Sequence, residues 1–148
     1  MRIPQLSLVV KNKPGALDAP CKVLVDAGIN IITLSLTADR RKSGTLRLIV
    51  ADWQDAQRRL EEAGYEVAVD DVVAIEVRDE PGGLLALLDV FKEAKVNVAY
   101  LYAFTSRLGD SAVLIFAFED LAAAIAALTR AGINPVAPVT LYQRLDEK

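Results

Sequence analysis

The sequence is written twice. Val10-Lys11-Asn12-Lys13-Pro14-Gly15-Ala16-Leu17 returns as Val77-Arg78-Asp79-Glu80-Pro81-Gly82-Gly83-Leu84, a step of 67 residues. The same step carries Ala27-Gly28-Ile29-Asn30-Ile31 onto Ala94-Lys95-Val96-Asn97-Val98, and Leu46-Arg47-Leu48-Ile49-Val50 onto Val113-Leu114-Ile115-Phe116-Ala117. With one residue inserted, Leu60-Glu61-Glu62-Ala63-Gly64 returns as Leu128-Thr129-Arg130-Ala131-Gly132. Four blocks repeated in order mark a duplicated structural unit. Each copy therefore has to fold from about half of the chain. A unit that small buries only roughly 60% of its unfolded surface and is marginal alone. Two copies packed together, or a dimer of such pairs, remove the difficulty.

Each copy reads in the same order. Leu6, Leu8 and Val10 alternate with Ser7, Val9 and Lys11, the period of a strand. A Pro-Gly turn follows. Leu17, Val23 and Leu24 then recur at helical spacing up to Gly28, which caps the helix. Residues 29–37 are rich in β-branched side chains and read as a second strand. A polar turn at 39–44 leads into the alternating strand of Leu46, Leu48 and Val50. Residues 53–63 form a second helix ending at Gly64, and 67–69 a short fourth strand. The β-α-β-β-α-β order predicts an α+β fold: two ferredoxin-like units in tandem, each an antiparallel sheet with its helices on one face. The expected domains are 1–70 and 71–148, with Asp70-Asp71 as the only room for a linker. In the second copy the expected helices are 84–94 and 121–131. Residues 139–145 alternate and are expected to add an edge strand. Pro20 falls in the first helix of the first copy, so that helix either starts near Asp18 or kinks there.

Strand alternation also predicts which faces are apolar. In the first copy Asn30, Ile32, Leu34 and Leu36 share the face expected to meet the helices, and Ile31, Thr33, Ser35 and Thr37 the other. In the second copy Asn97, Ala99, Leu101 and Ala103 are expected to face the helices. Val98, Tyr100, Tyr102 and Phe104 are then expected on the opposite face, together with Leu114, Phe116 and Phe118. A sheet face that aromatic calls for a cover. Two covers fit: a twin face in a homodimer formed through Tyr100, Tyr102, Phe104 and Phe116, or the C-terminal tail of the same chain.

Composition removes several chemistries. The chain has no histidine and one cysteine, Cys21. Histidine bases, histidine metal ligands, Ser-His-Asp triads, intrachain disulfides and cysteine zinc sites are therefore excluded. The carboxylate pairs Asp70-Asp71 and Asp79-Glu80 fall on turn-like segments, where they read as solvated charges. No catalytic activity, metal or cofactor is expected. A net charge of −3 and the lack of a long basic stripe argue against nucleic acid. No apolar run approaches the roughly 18–20 residues of a membrane span, and the start of the chain has no signal-peptide core. The expectation is a cytoplasmic protein.

Two features remain that point to a ligand. The first is the turn before each leading helix, Asn12-Lys13-Pro14-Gly15 and Asp79-Glu80-Pro81-Gly82-Gly83. A glycine turn opening a helix presents free N–H groups and the positive end of the helix dipole, a natural place for a carboxylate. Asn12 and Asp79 equally suit stabilising the turn or capping the helix. The second feature is the matched pair Asn30 and Asn97, each opening a second strand, where asparagine is disfavoured. Their partners are either the neighbouring loop or a bound molecule with both donors and acceptors.

Taken together, these residues resemble the ACT domain, a small regulatory fold attached to many enzymes of amino-acid metabolism. The resemblance rests on Asn12-Lys13-Pro14-Gly15-Ala16-Leu17 with Gly28-Ile29-Asn30-Ile31, and on Asp79-Glu80-Pro81-Gly82-Gly83-Leu84 with Val96-Asn97-Val98. It covers nearly the whole chain. It implies domains that pair side by side into a continuous sheet and bind an amino acid at the ACT–ACT interface. It also implies a ligand contacted by Asn12 and Asp79 and by Asn30 and Asn97, with its carboxylate on backbone amides of Pro14-Gly15-Ala16-Leu17 and Pro81-Gly82-Gly83-Leu84. Ile31 and Val98 flank that site. Asp79, unlike Asn12, offers a charge to a ligand ammonium, so the two sites are expected to be unequal. Regulation of an enzyme in trans would follow from a ligand shifting an equilibrium between two states. The competing reading is a ligand-free assembly module of the same fold.

Overall fold

The computed structural model describes residues 1–40, 42–105 and 109–143. They form six strands and five helices in the order β1 (Ile3–Lys11), α1 (Asp18–Asp26), β2 (Thr33–Arg40), β3 (Ser43–Ile49), α2 (Trp53–Glu62), β4 (Val67–Arg78), α3 (Gly83–Glu93), β5 (Val98–Ala103), β6 (Ser111–Phe118), α4 (Leu121–Arg130) and α5 (Pro138–Gln143). The architecture is α+β with antiparallel pairing throughout the registered ladders. The described residues divide into two compact units, Pro4–Asp70 and residues 71–143 together with Met1–Ile3. Asp70 and Asp71 are not a linker; both lie inside β4.

The N-terminal unit has the strand order β2-β3-β1-β4, the ferredoxin-like order. Leu6 pairs with Leu48 and Leu8 with Leu46 across β1 and β3. These residues meet Leu24 of α1 and Ala56 and Leu60 of α2 in one buried cluster. Leu34 and Leu36 pair with the same Leu48 and Leu46 from the far side, so they lie on the helix-facing side, as alternation predicts. They are nevertheless 40% and 51% exposed, because β2 is the edge strand and the helices do not reach over it. Pro20 does not kink α1. The helix begins at Asp18, which puts Pro20 in the first turn, where its missing N–H would have had no intrahelical acceptor.

The C-terminal unit pairs β4, β6 and β5 in that order. Its fourth strand has shrunk to a single antiparallel bridge, Ala74 to Val136. The edge strand expected over 139–145 is instead the helix α5 as far as Gln143; residues 144–145 lie outside the described residues. Pro138 cannot donate to a ladder but its fixed φ suits a first helical position, and Leu141 is fully buried.

The facing of the second copy also departs from expectation. Ala99 makes a bulge in β5: Val98 pairs with Phe118, but Tyr100 pairs with Ala117. One extra residue reverses the alternation. Val98 thereby joins Phe118 on the helix side, where Phe116 lies opposite Val73 and Leu101, and Leu114 opposite Ile75 and Ala103, by the register of β6 itself; all four pack there with Val73, Ile75, Phe91 and Leu128. Phe116 is fully buried, with ring centroids 5.7 Å from Phe91 and 5.8 Å from Phe118. It does not share a face with Tyr100 and Tyr102. The opposite face carries Ala74, Val113 and Ile115, each at most 1% exposed, and Tyr100, Tyr102 and Phe104 are half-buried.

Helices α1 to α4 all stop the same way. The N–H groups of Ile29, Tyr65, Val96 and Ile133 reach back to the carbonyls of Leu24, Leu60, Phe91 and Leu128, a Schellman closure that needs a left-handed residue just before. Gly28, Gly64 and Gly132 supply it, and Lys95 does so at φ +57°.

Candidate functional site

The chemistry that the sequence points to gathers at the two Pro-Gly turns. β1 ends at Lys11, and the Asn12 N–H donates to the Lys42 carbonyl at 3.0 Å. The Ala16 N–H then donates to the Lys13 carbonyl at 3.2 Å, and Gly15 takes φ +80°. In the second copy the Glu80 N–H donates to the Arg78 carbonyl at 2.9 Å and the Gly83 N–H to the Glu80 carbonyl at 3.1 Å, with Gly82 at φ +89°. Gly83 is required for a packing reason: a Cβ there would overlap the Arg78 carbonyl.

Neither α1 nor α3 has a side-chain cap. In contrast, Asp52 and Asp120 cap α2 and α4 by accepting from the N–H groups of Asp55 and Ala123. The positive dipole ends of α1 and α3 lie at the turns.

A cavity lies beside each turn. In the N-terminal unit it has a volume of about 220 Å³ and is lined by Val10, Asn12 and Leu17 with Lys11, Lys13, Leu36, Ala38 and Gly44. In the C-terminal unit it has a volume of about 370 Å³ and is lined by Val77, Asp79, Pro81 and Leu84 with Arg78, Glu80, Ala112 and Leu114. Five lining positions, Val10 to Lys13 and Leu17 but for Pro14 to Ala16, recur one repeat step later, so the two cavities are the same place in the duplicated unit. A further cavity of about 440 Å³ lies along the helix side of the second turn, against Pro81, Gly82, Gly83 and Leu87.

Of the expected site residues, Asn12 and Leu17 meet in the first cavity and Asp79, Pro81 and Leu84 in the second. Pro14, Gly15 and Ala16 shape the first turn without lining its cavity. Asn30 and Asn97 are exposed and precede β2 and β5 rather than lying within them. They are at the far ends of α1 and α3 from Asn12 and Asp79. Ile31 and Val98 pack against the cores of their own units. The sequence reading missed Lys11, Lys13, Leu36, Ala38 and Gly44, and Arg78, Glu80, Ala112 and Leu114. Only the strand register brings Leu36 and Gly44 beside the turn, through Leu36–Leu46 and Val10–Gly44.

Each cavity thus has an apolar floor and a mixed polar rim beside the positive end of a helix dipole, which suits a small molecule bearing a carboxylate and a short apolar or polar side chain. Among the described residues no cluster of three or more His, Cys, Asp or Glu could hold a metal ion, and no helix is long and apolar enough to cross a membrane.

Comparison with known proteins agrees with this geometry. A family model described as an ACT domain pair matches residues 1–137. The chain is similar to the protein BT0572 of Bacteroides thetaiotaomicron, with 29% identity over 97% of both chains and a TM-score of 0.87. It shares its fold with the regulatory subunit of aspartate kinase from Thermus thermophilus, at 18% identity, covering 87% of this chain and 92% of that one with a TM-score of 0.62. It shares it also with aspartate kinase from Clostridium acetobutylicum, at 11% identity and a TM-score of 0.55, covering 88% of this chain and 33% of that one. No curated protein matches it.

Proposed function

This chain belongs to the ACT domain pair family, and on that premise we propose that it is a regulatory, non-catalytic protein that binds an amino acid at its Pro-Gly turns. The two ACT domains are residues 1–70 and 71–148, and the protein works in the cytoplasm. The observation that carries the reading is the recurrence of one cavity at one place in both units, each beside the turn that opens a helix. A turn kept only for structure has no need of a cavity in both copies.

The asparagines supply the second half of the reading. α1 has nine residues, so at 1.5 Å per residue Asn12 and Asn30 are separated by a helix about 13 Å long. That exceeds the length of an α-amino acid. One domain therefore cannot offer both residues to one ligand. A second domain laid antiparallel along the edge strand can, and a second copy of this chain would provide it. The exposed helix-side residues of the edge strands, Leu34 and Leu36 on β2 and Leu101 on β5, are the apolar surface such pairing would cover. We place the homodimer contact there, not on the Tyr100, Tyr102 and Phe104 face. Ligand closure of that contact is the switch by which an enzyme in trans would be regulated.

The test is thermal unfolding of the protein with each of the twenty amino acids at millimolar concentration, read together with sedimentation. At about 100 times its dissociation constant a ligand stabilises by about 2.7 kcal/mol, a rise of several degrees for a chain of this size. A rise for one chemical class, reduced in Asn12→Ala, Asp79→Ala, Asn30→Ala or Asn97→Ala, supports the reading. No response to any amino acid, with an unchanged dimer, would make the protein an assembly module instead.

A further inference from the structure

We propose that the two turn cavities have diverged in charge and select different ligands: the N-terminal cavity an amino acid with a second carboxylate, the C-terminal cavity an amino acid of no net charge. This rests on the amino-acid reading above and refines it.

The cavities share their floor, Val10 and Leu17 in one and Val77 and Leu84 in the other. They differ in what stands around it. The first is flanked by Lys11 and Lys13 with neutral Asn12 between them, and among the described residues no acidic one lines it. One repeat step later the same positions hold Arg78, Asp79 and Glu80. Arg78 is already engaged by Glu80 at 3.6 Å. The first rim is cationic and the second carries more carboxylate than cation.

The helix starts differ in the matching sense. The first turn of α3 holds no acidic residue, so its dipole end favours an α-carboxylate, and the charge of Asp79 on the cavity wall favours an ammonium. A neutral zwitterion satisfies both. The first turn of α1 contains Asp18, whose charge opposes an incoming anion, and Pro20, which has no N–H to give. A carboxylate at that cavity has to be held by Lys11 and Lys13. A ligand with two carboxylates and one ammonium matches a rim whose described charged residues are both cations.

The test is isothermal titration of the full chain with the isosteric pairs L-aspartate and L-asparagine, and L-glutamate and L-glutamine, at low and at physiological salt. The variants are K11Q/K13Q and D79N/E80Q, with folding checked by melting temperature. Exposed ion pairs are each worth about 0.2–1 kcal/mol, so the acidic member should bind the N-terminal cavity about three- to tenfold more tightly than its amide. That margin should shrink with added salt. K11Q/K13Q should abolish it, while D79N/E80Q should weaken binding of the uncharged amino acid at the other cavity. Equal affinity for acid and amide, or a preference that survives K11Q/K13Q, would overturn the charge selection while leaving amino-acid binding in place. Failure of all four ligands and of every other amino acid would sink both readings.

Discussion

The carbonyl oxygen of Arg78 occupies the space that a Cβ on Gly83 would need. The end of β4 and the start of α3 are therefore in backbone contact, with no side chain between them. Gly15, by contrast, has open space where a Cβ would go and is held only by its φ of +80°. Gly83→Ala must push backbone apart and should cost about 1–3 kcal/mol, the usual range for overpacking. Gly15→Ala should cost about 1 kcal/mol, the left-handed penalty alone. Urea unfolding of the two variants separates the cases. Equal losses would mean that the β4–α3 contact is softer than the geometry indicates.

Lys95 stands where the other three helix ends place glycine, at φ +57°. An L-side chain there is strained. Lys95→Gly removes the strain but adds backbone freedom to the unfolded chain, so a net gain of about 0.5 kcal/mol is expected, with Lys95→Ala close to neutral. Paired urea melts of the two variants and the parent measure it.

Phe116 pairs with Leu101 and Tyr102 with Ile115, so Phe116 and Tyr102 lie on opposite faces of their sheet. Phe116→Ala empties a fully buried ring site and should cost about 3–5 kcal/mol. Tyr102→Ala, at a half-buried site, should cost less than half as much. Dimerisation should be insensitive to both wherever the fold survives. A dimer lost in Tyr102→Ala with unchanged melting of the monomer would restore that face as an interface.

Arg59 holds the Asp55 carboxyl below the usual carboxylate range through its hydrogen bond, and Arg58 adds to the effect. A pKa depressed in the folded state contributes stability above the unfolded value, about 4, and loses it as the pH falls through the folded value. Arg59→Gln should therefore lower the melting temperature slightly at pH 7, and the difference from the parent should close at acid pH, below about 4. The side chains are partly exposed, so the effect should also fall with salt. A difference that is constant across pH would assign the loss to packing.

By itself the sequence determined the duplication, the element order and the chemistry of the chain's turns. The Pro-Gly turns and the glycines at 28, 64 and 132 do the same job wherever they stand, because helix ends and tight turns are set by a few consecutive residues. Even Lys95 was placed correctly by its repeat partner Gly28. What depends on distant pairing was not legible. The pairing of Phe116 with Val73 and Leu101 decided that it faces the helices, and the bulge at Ala99 decided the same for Val98, since face identity follows register and register is fixed across strands. Burial of Leu141 gave the segment from Pro138 to Gln143 a helix where its alternation suggested a strand. The cavities were half legible: Asn12, Leu17, Asp79, Pro81 and Leu84 are in the turns themselves, whereas Leu36, Gly44, Ala112 and Leu114 reach them only through the ladders. Asn30 and Asn97 are parted from their turns by the length of a helix, a distance that repeat position does not encode and that only the folded backbone imposes.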